Sequence, residues 1–186
     1  MAGLAARPWT LSWVVVFIAL LAPGGARAQS EPGEEPSSPA VHLPRAVDVA
    51  AIREALAGAR RRLANETCQR LFTEFADASG RPLAITLDGL GETGASYLGR
   101  LSFENGDGRP RCEQRQVGVL AFTTPGSRVV HVCPGFANVA HRYEDEAEAT
   151  IIHEALHTLG LRENPPSSRH IQDRVRALCP SRVPSR

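Results

Sequence analysis

The chain lacks several residue types, and each absence removes an explanation. It contains no Lys; all 21 of its basic residues are Arg. Arginine without lysine over a whole chain reads as compositional bias, not as a binding signal. The formal net charge is +1, so no nucleic-acid partner is expected. Met occurs once, at position 1, and aromatics are 5% of the residues. No internal repeat is visible. The four cysteines contain no C-x-x-C pair, which argues against a cysteine-ligated metal. Long apolar runs are missing too, except one near the start of the chain, Leu11 to Ala22, interrupted only by Ser12.

That run has Arg7 before it and Pro23-Gly24-Gly25 after it, followed by Ala26-Arg27-Ala28. A basic flank, a short apolar stretch and an A-x-A site predict a signal peptide over 1–28, cut near Ala28. The run is short for a spanning helix, so no stable membrane insertion is expected after cleavage. No Cys lies near the cut, so no lipoprotein anchor is expected there. Loss of Arg7 and Arg27 takes the formal charge from +1 to −1. Residues 29–47, rich in Pro, Ser and Glu, are expected to be a flexible linker. The linker has no Cys, so inhibition through a cysteine ligand is excluded. Residues 48–186 suit one domain with a real core. The expected location is secreted or periplasmic. In such an oxidising compartment Cys68, Cys112, Cys133 and Cys179 should form two disulfides. Three pairings exist, and Cys68–Cys112 with Cys133–Cys179 is preferred.

Hydrophobic periodicity predicts helices over 48–65, with Asp48 as N-cap, and over 66–76, with Leu71, Phe72 and Phe75 inward. Arg60-Arg61-Arg62 reads as a solvated helix surface. Gly80-Arg81-Pro82 is a turn. Strands are expected at 83–87, 97–103, 117–123 and 129–133, the last two as a hairpin around Thr124-Pro125-Gly126-Ser127. Further helices are expected over 145–159 and after Pro165-Pro166, the latter capped by Ser167 or Ser168. The order predicts an α+β domain with helices on a small mixed sheet, and a hairpin directly before the helix at 145–159. An exposed strand edge there could take an extended peptide by backbone pairing.

The most informative residues are His153-Glu154-Ala155-Leu156-His157, which read H-E-x-x-H. Two imidazoles four residues apart lie on one helix face, about 40° apart around the axis. Both can reach one tetrahedral zinc ion, and the Glu can lie beside its water as a base. Ala149, Ile152, Leu156 and Leu159 give the helix a buried stripe, and Gly160 can end it. A turn at Gly160 would bring Glu163 back toward the metal, so Glu163 is the preferred third ligand. His170 and Asp173 are the next candidates. His131 is expected to line a core or cleft. The acids Glu144, Asp145, Glu146 and Glu148 complement the dipole at a helix start. Tyr97 and Tyr143 are candidate oxyanion donors.

His153 to Glu163 resembles the zincin metallopeptidases, most closely the metzincin pattern H-E-x-x-H-x-x-G-x-x-H, over 11 residues. The resemblance implies a zincin-like domain with an active-site helix, His153 and His157 on Zn2+, Glu154 as general base and Gly160 as the turn. Two departures stand out. Glu163 replaces the third His, and with Met only at position 1 there is no Met-turn. The implied function is a secreted zinc metallopeptidase acting on peptide or protein substrates. The alternative is a non-catalytic, disulfide-stabilised secreted binding module that retains a zincin-like helix. Peptide deformylase shares H-E-x-x-H, but its cysteine-bearing motif is absent. The oligomeric state is left open.

Overall fold

In the computed structural model, residues 38–113 and 118–181 are described. The expected signal peptide, linker residues 29–37 and Val117 lie outside them. The chain is mixed α+β. β1 (Ala40–His42) leads into α1 (Ala46–Leu63) and α2 (Glu66–Glu74). α3 (Leu83–Leu90) and α4 (Gly94–Tyr97) follow, then β2 (Ser102–Asn105) and α5 (Pro110–Glu113). β3 (Ala121–Thr123) and β4 (Val129–Val132) precede α6 (Phe136–Arg142), α7 (Glu144–Thr158) and α8 (Ser168–Leu178).

The sheet order is β1-β2-β4-β3. β1, β2 and β4 are parallel, and β3 runs antiparallel on the edge beside β4. Side chains alternate across the sheet. Phe103, Val130, Val132 and Ala121 face inward and are buried. β3 lies against α7, so the antiparallel edge and the H-E-x-x-H helix are neighbours. α7 also contacts α1, α6 and α8, which buries every residue from Ala147 to Thr158.

Several expectations are corrected. The predicted linker ends early: β1 pairs with β2, and α1 starts at Ala46. Asp48 is not the N-cap; it sits in the first turn and takes two hydrogen bonds from Arg45, at 2.6 and 2.7 Å. Leu83–Leu87 is helix, not strand. Leu83 and Leu87, four apart, are buried while Ile85 is 51% exposed, a helical pattern that alternation would reverse. Pro82 precedes this helix and Gly91 closes it at φ 68°. The strand predicted at 97–103 begins only at Ser102, because the Thr93–Ser96 capping box starts α4 and a 3₁₀ turn continues to Arg100. The hairpin forms, but α6 intervenes before α7.

Arg62 is buried rather than solvated. It donates to Glu148 Oε2 at 3.2 Å, to the Asp145 carbonyl at 3.0 Å and to the Cys179 carbonyl at 2.6 Å. The disulfides are Cys68–Cys179 and Cys112–Cys133, not the preferred pairing. The reason is placement. α2 lies beside α8, with Cα atoms of Cys68 and Cys179 4.5 Å apart. The turn after β2 folds back on β4, where Gly106 N–H donates to the Val132 carbonyl at 2.9 Å, and brings Cys112 to Cys133. A Cβ at Gly106 would lie 2.8 Å from Cys112 Sγ and 2.9 Å from Val132 O, so only glycine fits that crossing. Two disulfides fit an oxidising compartment. No helix among the described residues is long and apolar enough to cross a membrane.

Candidate metal centre

α7 brings His153 and His157 to one side, one turn apart, 6% and 5% exposed. Their rings meet edge-on with centroids 4.8 Å apart, and the two Nε2 atoms are 3.0 Å apart. The helix then stops. Gly160 adopts φ 111°, and its N–H and that of Leu161 donate back to the His157 and Leu156 carbonyls, at 2.9 and 3.2 Å. The returning chain sets Glu163 Oε1 3.5 Å from His157 Nε2 and 3.7 Å from His153 Nε2. One nitrogen of each ring and one Glu163 oxygen all lie within 4.8 Å of one another. The residues the sequence singled out are thus brought together.

The remaining ring nitrogens define the protonation. His157 Nδ1 faces the Leu161 carbonyl at 2.8 Å; a carbonyl only accepts, so Nδ1 carries the hydrogen. His153 Nδ1 faces Gln172 Oε1 at 3.1 Å. Gln172 Nε2 faces Glu146 Oε1 at 3.3 Å, and a carboxylate accepts, which assigns the amide oxygen to the imidazole. With Nδ1 engaged in both rings, the two Nε2 atoms face each other and a carboxylate oxygen. Two nitrogens with one carboxylate oxygen at these distances make a donor set that could hold a metal ion. The outer hydrogen bonds are of the kind that orient metal-binding imidazoles.

Burial lowers the pKa of His157. The His153 ring beside Glu163, helped by the Ser168 hydroxyl, holds its carboxyl at about 2. Glu154 is buried next to the cluster. Loss of hydration raises its pKa well above the usual range and the negative Glu163 adds to this, while Arg111 and the Thr123 backbone N–H oppose it. Its Oε2 has no hydrogen-bond partner. Glu154 and His153 open onto a trench of about 370 Å³, walled by Leu120 and Ala121 on one side and by Ser168 and Gln172 of α8 on the other. Cys133 N–H donates to Leu120 O at 2.9 Å, which makes Leu120–Cys133 a hydrogen-bonded pair. By alternation the backbone groups of Ala121 turn away from β4, toward the trench.

Other candidates fall outside the cluster. His170 lies edge-on to Phe75, with centroids 6.2 Å apart. Asp173 is an exposed acid 3.8 Å from Arg176. His131 lies on β4 against Phe122. Tyr97 is buried and donates its hydroxyl hydrogen to Thr158 Oγ1 at 3.0 Å. Tyr143 stands 65% exposed at the start of α7, about 15 Å along the axis from His153. The acids at that end do more than complement the dipole, since Glu146 and Glu148 carry contacts to α8 and α1. The sequence reading missed Gln172 and the Leu161 carbonyl. Gln172 follows Ile171 in the buried stripe of α8, the one clue that it faces α7. Comparisons with protein-family models, curated proteins and solved structures return no match to this chain.

Proposed function

We propose that the chain is an exported zinc metallopeptidase of zincin type, with His153, His157 and Glu163 as metal ligands. The observation that carries the proposal is the convergence of two imidazole Nε2 atoms, each ring held at Nδ1 by an outer partner, and a carboxylate oxygen. The distances suit zinc. A tetrahedral ion with legs of about 2.05 Å has ligand-to-ligand edges of roughly 3.3 Å; the three here are 3.0, 3.5 and 3.7 Å. Three protein ligands leave a fourth position for solvent or substrate, the pattern of catalytic sites. When bound, zinc supplies Lewis-acid chemistry, acidifying water and polarising a carbonyl.

Glu154 is the residue placed to move a proton. Its unpartnered Oε2 accepts one from the attacking water and returns it to the departing amine nitrogen. The outward backbone groups of Ala121 offer an extended peptide two hydrogen bonds, which would hold a main chain across the trench. A peptide bond is therefore the favoured substrate linkage.

The test is direct. Purified protein should contain one zinc per chain. Glu154→Gln should keep the metal and lose at least about 100-fold in turnover of a mixed peptide library. His157→Ala should lose metal and turnover together. Protein without zinc, or a Gln variant as active as wild type, ends this proposal. Zinc without hydrolysis favours the binding-module reading instead.

A further inference from the structure

We propose that Gln172 is the positioning residue for His153, at the centre of a relay, His153–Gln172–Glu146–Arg176, that joins α7 to α8. The assignment rests on the metal centre proposed above. An imidazole offers a lone pair at Nε2 only while its hydrogen stays on Nδ1. His157 secures this through the chain itself, because Leu161 brings its carbonyl to 2.8 Å as the helix ends. His153 lies a full turn earlier, where the carbonyls of the helix are engaged in their own ladder. Its acceptor comes from another element, the Gln172 side chain at 3.1 Å.

A side-chain amide alone would be an ambiguous partner. Turned over, it would present its NH2 group to Nδ1, drive the hydrogen to Nε2 and remove the ligand's lone pair. Glu146 decides the orientation. It can only accept, so the Gln172 NH2 faces Glu146 Oε1 at 3.3 Å and the amide oxygen faces the ring. Glu146 is in turn held by Arg176, whose Nη2 donates to its other oxygen at 2.6 Å. Each hydrogen in the row has an acceptor. The spacing makes the relay possible: Glu146 and His153 are two turns apart on α7, and Gln172 and Arg176 one turn apart on α8. Facing sides of the two helices therefore present matching groups in register.

The experiment measures metal affinity, not turnover. Metal-free wild type, Gln172→Ala and the double variant Gln172→Glu with Glu146→Gln are titrated with Zn2+ against a chromophoric chelator, and ¹⁵N shifts of His153 report which ring nitrogen holds the hydrogen. Gln172→Ala should bind zinc about 10–100-fold more weakly, in the range for loss of such outer partners. Its metal-free far-ultraviolet dichroism should be unchanged, and His153 should lose its Nδ1–H preference. Gln172→Glu, made together with Glu146→Gln so that an NH2 group still faces position 172, keeps an acceptor toward Nδ1 and should recover most of the affinity. Wild type that binds zinc beside an Ala variant that binds equally overturns the assignment alone. So do Ala and double variants that lose affinity to the same degree. Wild type that takes up no zinc overturns the metal centre and this assignment with it.

Discussion

At the scale of single residues, Gly160 and Asp77 show how a remote turn supports the cluster. Gly160 sits at φ 111°, where an L side chain is strained, and an added Cβ would lie 3.1 Å from Asp77 Cβ. Asp77 is fixed by its own loop: Oδ1 accepts from the Ser79 hydroxyl at 2.6 Å, from Ser79 N–H at 2.8 Å and from Arg81 N–H at 3.1 Å. The Ser79 hydroxyl first, then the Arg81 backbone, lower its carboxyl from the ordinary 3.8 to about 2. A carboxyl depressed on folding stabilises above its unfolded value, and the contribution disappears as pH falls through the folded value. Wild type should therefore exceed Asp77→Asn in stability above pH 3.8, with the gap closing as pH falls toward about 2. Urea midpoints of both proteins across that window measure this, and a gap independent of pH would refute it.

At the scale of elements, α1 and α7 meet where Gly58 leaves room for Glu148. A Cβ at Gly58 would stand 1.6 Å from Glu148 Oε1, inside any permitted contact. Gly58→Ala gains up to about 1 kcal/mol of helix propensity. It also drives Glu148 from Arg62, and breaking a buried pair costs about 3–5 kcal/mol. The loss should win. Thermal or chemical denaturation should show Gly58→Ala clearly destabilised, and much less so in a Glu148→Ala background. Equal effects in both backgrounds would mean the clash is relieved some other way.

Elements also decide what could be read ahead of the structure. α7 was legible because its stripe repeats at helical spacing and Gly160 marks its end; the same turn pointed to Glu163. α2, α8 and the hairpin were legible for similar reasons. α3 was not, since a five-residue apolar run fits either period and only burial of Leu83 and Leu87 against exposed Ile85 decides. α6 is short and follows Pro134-Gly135, which reads as a loop. Disulfide pairing depends on which helices become neighbours, which spacing does not encode. Gln172 carried only its position after Ile171 in the stripe of α8, too weak a signal because a polar residue on a helix has many uses, and its role exists only once α8 lies against α7.

At the scale of the whole molecule, the two disulfides should contribute unequally. Cys68–Cys179 spans 111 residues and Cys112–Cys133 spans 21. Loop-closure entropy assigns the longer span about 5 kcal/mol and the shorter about 3. Against a typical domain stability of about 5–15 kcal/mol, removing the first by paired Ser substitutions should lower the urea midpoint more than removing the second. The reverse order would show that strain or residual structure outweighs chain entropy.

The same longer bridge orders events in time. A ribosome makes His153 and His157 before Gln172, and Gln172 before Cys179. While the chain is still emerging, its paired imidazoles lack both the amide that orients one of them and the sulfur tether that seats α8. The proposed ion binding would thus become possible only late in synthesis, and a chain truncated after Gly160 would carry the recognisable motif without Gln172 or the tether.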